Sequence, residues 1–467
     1  MRNTKRRMET FSIFNHTGIS AHLEKMALKG WMLESIRNNW WIYRRIEPKP
    51  IHFAVSYYPK ASEYDPEPSP EQQDFLDFCA HTGWQLVCTS AQMQIFCNAL
   101  ENPVPIDTDP VLEVETIHEA MLKNFLPAQI VLLVLGCILG WFFLMGVYGN
   151  VIYALTDVNE VFLGLCWLLI ILLVSTELIA YHRWHKKAEE AAEQGFFLDT
   201  PDTRPIQNFA LVLLGIGIVY LLVNTAAAGD DMRLFLFVAM AINFTVLRAL
   251  VDGTKRLLKR WKVRKNVNRL VTLIVDVVLA VGLMVGVTLG TLQLNEMGLF
   301  KTDRRHGADS YWSTMDGTVP LKVEDMMEVN SEDYIYIRGG AESIFLSRYT
   351  MEQRVHFDKE DSLDLPTLEY TVVNVKMPFL YDMTERQIIK QTTQADRLEI
   401  EYELRDKMES IDPIPWGADK AYRVYNERIL TNSNRYVLYY GTMFVDITFD
   451  WEPNAEQKQI VGECLTT

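Results

Sequence analysis

Glu177, Arg248 and Asp276 lie inside runs that are otherwise apolar over the thickness of a bilayer. A charge near mid-membrane costs about 3 kcal/mol on insertion scales unless it is paired or wetted, so such residues mark ion, proton or substrate routes. At about 1.5 Å of rise per residue, each sits only about 5–9 Å from one end of its run. The three share a depth, and Arg248 could pair with one or both acids. That close to an end, a long side chain can also reach water, which removes most of the cost. A structural or snorkelling role is the plainer reading and a transport route the sharper one.

A second concentration of charge spans residues 252–269, with eight Lys or Arg and one acid, a net charge of +7. Leu257, Leu258, Trp261 and Val263 are interleaved with the bases. Such a segment can lie on the inner membrane surface, where each base near anionic lipid contributes about 1 kcal/mol. Lys255, Arg256, Lys259, Arg260 and Trp261 are therefore the candidate lipid or partner contacts. The same charges also set membrane orientation, which is the simpler role.

Metal and catalytic chemistry find little support. His182 and His185 are three apart, but zinc takes three or four ligands and no neighbouring Cys or Asp completes the set. Cys79, His81, Cys88 and Cys97 match no common finger spacing. The sequence has no Walker loop, GxSxG, HExxH or kinase signature. No cofactor, metal or catalytic residue is expected, and the scattered acids after residue 295 read as a solvated surface.

The elements that hold these residues are five apolar runs, Phe125–Tyr148, Val161–Tyr181, Phe209–Ala228, Leu234–Val251 and Leu270–Leu294. About 20 apolar residues cross a bilayer's hydrocarbon core. The short connection 229–233 leaves a re-entrant hairpin as the rival arrangement for the third and fourth runs. Lys and Arg crowd the segment before the first run and the loops after the second and fourth; the loop 149–160 has none, and the loop 229–233 only Arg233 beside Asp230 and Asp231. Basic loops stay in the cytoplasm, so the amino terminus is expected inside and residues after about 295 outside. Met1–Thr10 is charged and no apolar core follows, which does not fit a signal peptide.

The 467 residues suffice for a helix bundle and two modest water-soluble domains. Residues 295–467 hold 32 acids against 19 Lys and Arg, most of the chain's net charge of −15. An acidic outer domain gives no reason to expect direct nucleic-acid binding. Only Cys464 would lie outside, so that domain cannot form an internal disulfide.

Residues 1–120 contain an internal repeat. HLEKMALKGWMLESIRNNWWIYRR (His22–Arg45) parallels FLDFCAHTGWQLVCTSAQMQIFCN (Phe75–Asn98). Gly30-Trp31 aligns with Gly83-Trp84, and Ile42-Tyr43 with Ile95-Phe96. Each half reads helix, glycine stop, strand, turn, strand. Ser69-Pro70-Glu71-Gln72 is a good helix start. Phe53, Val55 and Tyr57 alternate and suggest an extra strand in the first half. The expectation is an α+β sandwich of order αβββαββ, with Trp31 and Trp84 as core aromatics and Asp65–Pro70 as the linker between halves.

Through EKMALKGWML (Glu24–Leu33) and the later GW with its IF partner, the chain resembles DUF2812, a bacterial family of unknown function. The resemblance covers roughly residues 11–148 and implies a soluble module followed by membrane spans. It also implies a possible cytosolic partner, since such proteins often neighbour PadR-type regulators. Pro320-Leu321, Glu324-Asp325 and YVLYYGTMFVDI…EQKQIV look similar to longer members of the family. The resemblance implies no activity and no site residues.

After a stalk at 295–319, residues 320–467 read as a β-rich α+β domain. Strands are expected around Tyr334–Arg338, Ile344–Leu346 and Leu368–Val375. A long hairpin is expected over Arg435–Trp451, turning near Gly441-Thr442. One or two helices are expected in Phe379–Lys407, and a terminal helix in Glu452–Leu465. The whole reads as a five-span α-helical membrane bundle (121–294) flanked by two α+β soluble domains. The function this suggests is a non-enzymatic regulatory or sensory protein of the cell membrane; the rivals are a transport component, either carrier or exporter subunit, and, less favoured, a membrane enzyme.

Overall fold

The computed structural model describes residues 3–37, 40–227, 231–299, 319–355, 365–393, 406–426 and 431–466. It forms two compact units, Met1–Ile138 with Cys166–Lys301, and Leu139–Leu165 with Thr302–Thr467.

The first unit opens with β1 (Thr4–Met8), α1 (His16–Leu28), β2 (Trp31–Arg37), β3 (Trp40–Arg45) and β4 (His52–Tyr57). It continues with α2 (Pro70–His81), β5 (Gln85–Ser90), β6 (Met93–Asn98) and α3 (Pro110–Ala120). The αβββαββ order holds from α1 to β6, with β1 added before it and α3 after it. The strands form two three-stranded antiparallel sheets, β1-β3-β2 and β4-β6-β5. β4 thus joins the second half, not the first. Its alternating Phe53, Val55 and Tyr57 lie opposite Cys97, Ile95 and Met93 of β6, so apolar partners match across the pair.

The repeated helix ends have one cause. Gly30 and Gly83 adopt φ of +79° and +88°, and their N–H groups bond back to the Ala27 and Ala80 carbonyls. A Cβ is strained in that left-handed conformation, which is why glycine closes both helices. Ser69 caps α2 by accepting from the Gln72 N–H at 3.2 Å. The two tryptophans diverge. Trp84 is buried and donates to the Val104 carbonyl at 2.8 Å. Trp31 is half-buried, between the cations of Lys5 and Arg45 at 5.3 and 5.1 Å from its ring.

α3 passes through one wide turn, Met121–Phe125, into α4 (Leu126–Gly149). α5 (Val151–Thr156), α6 (Val158–Ala192), α7 (Arg204–Ala227), α8 (Asp231–Arg260) and α9 (Lys265–Glu296) follow. Among the described residues, five helices are long and apolar enough to cross a membrane: the α3–α4 rod, α6, α7, α8 and α9. Large apolar side chains such as Ile216, Phe244 and Met284 are exposed on them, which suits hydrocarbon and not water. Several helices outrun their apolar runs. α8 continues to Arg260, turns at Trp261–Arg264 with Lys262 at φ +52°, and α9 restarts at Lys265. The basic segment therefore prolongs two helices around a tight turn.

The second unit contains β7 (Tyr334–Glu342), β8 (Leu346–Val355), β9 (Leu368–Val375), α10 (Tyr381–Thr393) and β10 (Lys407–Ile411). It ends with β11 (Lys420–Asn426), β12 (Thr431–Tyr440), β13 (Met443–Phe449) and α11 (Ala455–Thr466). One seven-stranded antiparallel sheet runs β10-β11-β12-β13-β9-β8-β7. Side chains alternate across it. Tyr436 and Leu438 face a core with Trp416 and α11, while Val437 and Tyr439 face α10 and α5. The hairpin turns at Gly441-Thr442 as expected, and Asn454 caps α11 by accepting from the Gln457 N–H at 2.9 Å. Residues 343–345 form a turn into β8, which begins only at Leu346. Most of the expected stalk and the end of the 379–407 stretch lie outside the described residues.

Candidate functional site

Within the first unit, the N-terminal domain sits on the helix ends at two seams. The first is built by residues 9–17, the segment between β1 and α1 with the first two residues of α1. Phe14 is fully buried, with ring centroids 5.3 Å from Tyr181 and 5.9 Å from both Phe125 and Trp184. Behind it, Val114, Ile117 and Ala120 of α3 share a core with Tyr181, Trp184, Ala188 and Ala192 of α6.

Polar contacts ring this plug. The Ser12 hydroxyl and the Gln207 amide both donate to the Glu177 carboxylate, which is buried. Thr10 donates to Asn208 at 2.8 Å, and the Thr200 hydroxyl donates to Asn15 at 2.8 Å. The Arg204 guanidinium lies 4.4 Å over the Phe11 ring. His118 approaches the Tyr181 hydroxyl at 2.7 Å and stands 4.1 Å, ring to ring, from His185. Burial, with His118 adding, holds His185 below the usual imidazole range.

Glu177 is thus engaged by the domain and by α7. Arg248 is exposed and Asp276 half-buried. Among the described residues, no hydrogen bond or ion pair joins either to Glu177. Also among the described residues, no group of three or more His, Cys, Asp or Glu is placed to hold a metal.

The second seam joins the acidic linker between β4 and α2 to the turn between α8 and α9. Lys255 pairs with Glu63 at 2.9 Å and lies 5.3 Å from the Tyr64 ring. Lys262 pairs with Glu67 at 2.6 Å and Lys265 with Asp65 at 3.6 Å. Asn268, fully buried, donates to the Tyr64 carbonyl at 3.1 Å. Burial pushes the Lys259 ammonium below the usual lysine range. Arg256, Arg260 and Trp261 stay exposed. Surface ion pairs are worth about 0–1 kcal/mol each, so the buried Asn268 bond fixes this seam while the pairs tune it.

Beside the first seam, Asp107 and Glu113 flank a small pocket with Ser56, Tyr57 and Thr116. His16 approaches Glu113 at 3.1 Å. Burial, with Glu113 adding, pushes the Asp107 carboxyl up to about 6 from an ordinary 3.8. The folded state therefore holds this proton more tightly than the unfolded one. Asp107 costs stability above about pH 6, and the cost fades as the pH falls through that value toward 3.8. Asp107→Asn is expected to stabilise the protein by about 2 kcal/mol at neutral pH and by nothing near pH 4. Thermal unfolding across that range checks it; an equal gain at both ends would refute the assignment.

The region carrying both seams also carries the likeness to known proteins. Residues 17–128 match DUF2812, a family of proteins of unknown function. The match begins in α1 and ends just inside α4, so the DUF2812 segment includes α3, the wide turn and the acidic linker. No curated protein and no solved structure matches the chain. Ser12 and Phe14 precede the matched segment, while Tyr181, Trp184, Gln207 and the basic turn follow it. Tyr181, Trp184, Gln207 and the basic turn are the surface on which this DUF2812 segment is seated, with Ser12 and Phe14 reaching onto it.

Proposed function

We propose that the chain is a non-enzymatic regulatory membrane protein whose DUF2812 segment reports the state of the helices it grips. The observation that carries this is the double membership of α6. Val161 near its start belongs to the core of the second unit, and Tyr181 and Trp184 belong to the core of the first. In the second unit the sheet is fastened to α5 directly. Ser343 donates to the Leu155 carbonyl, and Arg348 lies 3.8 Å over the Tyr153 ring. A ligand that shifts the C-terminal sheet would act on α5 and α6, and α6 carries Glu177.

In this reading the C-terminal domain is extracytoplasmic and takes a cell-envelope ligand or protein. The DUF2812 segment is cytosolic and engages a protein, such as a PadR-type regulator. The Lys and Arg distribution supports that sidedness. The capture of Glu177 by Ser12 and Gln207 favours coupling over a transport route, which needs that carboxylate facing water.

Surface cysteines test the sidedness. Burial pushes the Cys88 thiol up to about 12 and raises Cys464 as well, so native thiols are slow reporters. In intact cells an impermeant maleimide should label a Glu456→Cys variant and leave an Asp74→Cys variant unlabelled until lysis. The reverse pattern, or equal labelling, would end the proposal. Coupling is read in the purified full-length protein. Disrupting the Ser343 and Arg348 contacts should change amide exchange in residues 9–17; unchanged exchange removes the relay.

A further inference from the structure

We infer that the basic turn between α8 and α9 is a site for anionic phospholipid headgroups, which compete with the acidic linker for Lys255. The inference rests on the coupling reading only for its consequence, a lipid-dependent grip of the DUF2812 segment; the binding stands on the turn itself.

The bases fall into two tiers. The headgroup layer extends about 5–7 Å beyond the hydrocarbon on each side. Counting about 1.5 Å per residue outward from Val251 and Leu270 puts Arg269 and Lys255 within that depth, and Arg256 and Lys265, equally far out, at its outer edge. Arg260, Lys262 and Arg264 project farther. Glu67 sits on Lys262 in the outer tier, and Asp65 on Lys265 at the boundary between the two. Lys255 belongs to the inner tier, yet Glu63 and Asp252 hold it at 2.9 and 3.9 Å. Glu63 thus occupies, with a carboxylate, a position that a lipid phosphate can reach.

Charge complementarity identifies the occupant. Among the described residues, no carboxylate pairs with Arg256, Arg260, Arg264 or Arg269, although three neighbouring lysines are paired. Arg256 and Arg269 are exposed beside apolar Leu257 and Leu270, which are exposed too. Guanidinium groups beside exposed apolar side chains at headgroup depth suit a phosphodiester whose tails continue into the bilayer. A soluble anion would satisfy the charges and leave the apolar neighbours unmatched.

The test compares full-length protein in nanodiscs of neutral phosphatidylcholine with nanodiscs containing anionic phosphatidylglycerol, read by amide exchange in residues 60–67. Anionic lipid should speed exchange there about fivefold, the effect of losing one base to the surface. Arg256→Gln with Arg269→Gln should abolish the response while leaving exchange in neutral discs unchanged. Soluble glycerol phosphate added to neutral discs should do nothing. Equal exchange in both disc types overturns the inference, and a response to soluble phosphate overturns the lipid assignment. The sidedness and relay experiments use other sites, so either idea can fail alone.

Discussion

Replacing Phe14 by alanine will loosen the DUF2812 segment from α6 at a cost of about 4 kcal/mol, the usual range for deleting a fully buried phenyl ring. Phe14 is 0% exposed and touches Phe125, Tyr181 and Trp184. These aromatics come from the wide turn and from α6, so no single element can close the void. Ser12, two residues away, will lose its hold on Glu177, and a buried carboxylate missing a donor adds to the cost. Amide exchange in full-length protein should rise sharply in residues 9–17. It should stay slow around Cys79, Trp84 and Phe96, which form a separate small core under α2. Phe78→Ala, at a side chain 60% exposed, is the matched control and should change little. If exchange rises equally in both cores, Phe14 supports the domain and not its docking.

What was legible in advance follows from which physical signal each element writes into sequence. Apolar runs and glycine stops are local, so the five long helices and the ends of α1 and α2 could be read directly. Strand β1 could not. Thr4–Met8 is TKRRM, nearly all exposed, and joins β3 through backbone pairing that leaves no apolar alternation. α3 begins with Asp109 as a cap and Pro110 in its first turn, both helix-start signals. Its apolar face is completed only by α6, whose contribution is far away in sequence.

The candidate site divides the same way. Glu177 stood out because a carboxylate in an apolar run is anomalous. Its partners Ser12 and Gln207 carry no anomaly, and only the fold brings them to it. Depth along a helix is one coordinate. Arg248 and Asp276 share it with Glu177, but pairing also requires the right helix face. In sequence alone the acidic linker reads as a spacer and the basic turn as a membrane contact. Opposite charge in two surface segments is too common to predict a meeting, and the buried Asn268–Tyr64 bond that fixes them has no sequence signature.

In the C-terminal domain, Gly462→Ala should be the most damaging single methyl group. A Cβ there would lie 2.3 Å from the Trp416 carbonyl oxygen and 3.2 Å from its carbon. That oxygen is backbone, and the Tyr440 hydroxyl already donates to it at 2.9 Å. Trp416 is itself 1% exposed, so neither partner can retreat into solvent. The remaining way out is for α11 to lift off the sheet, and lifting withdraws Val461 and Leu465 from the core they share with Leu438 and Ile447. Overpacking costs about 1–3 kcal/mol where the surroundings yield, and more where they do not, so a loss of about 3 kcal/mol is expected. Gly253→Ala is the control, because a Cβ there meets nothing within 4 Å. Protease susceptibility after residue 450 should rise in the Gly462→Ala protein alone. If the two variants are cut equally slowly, α11 does not clamp that face of the sheet.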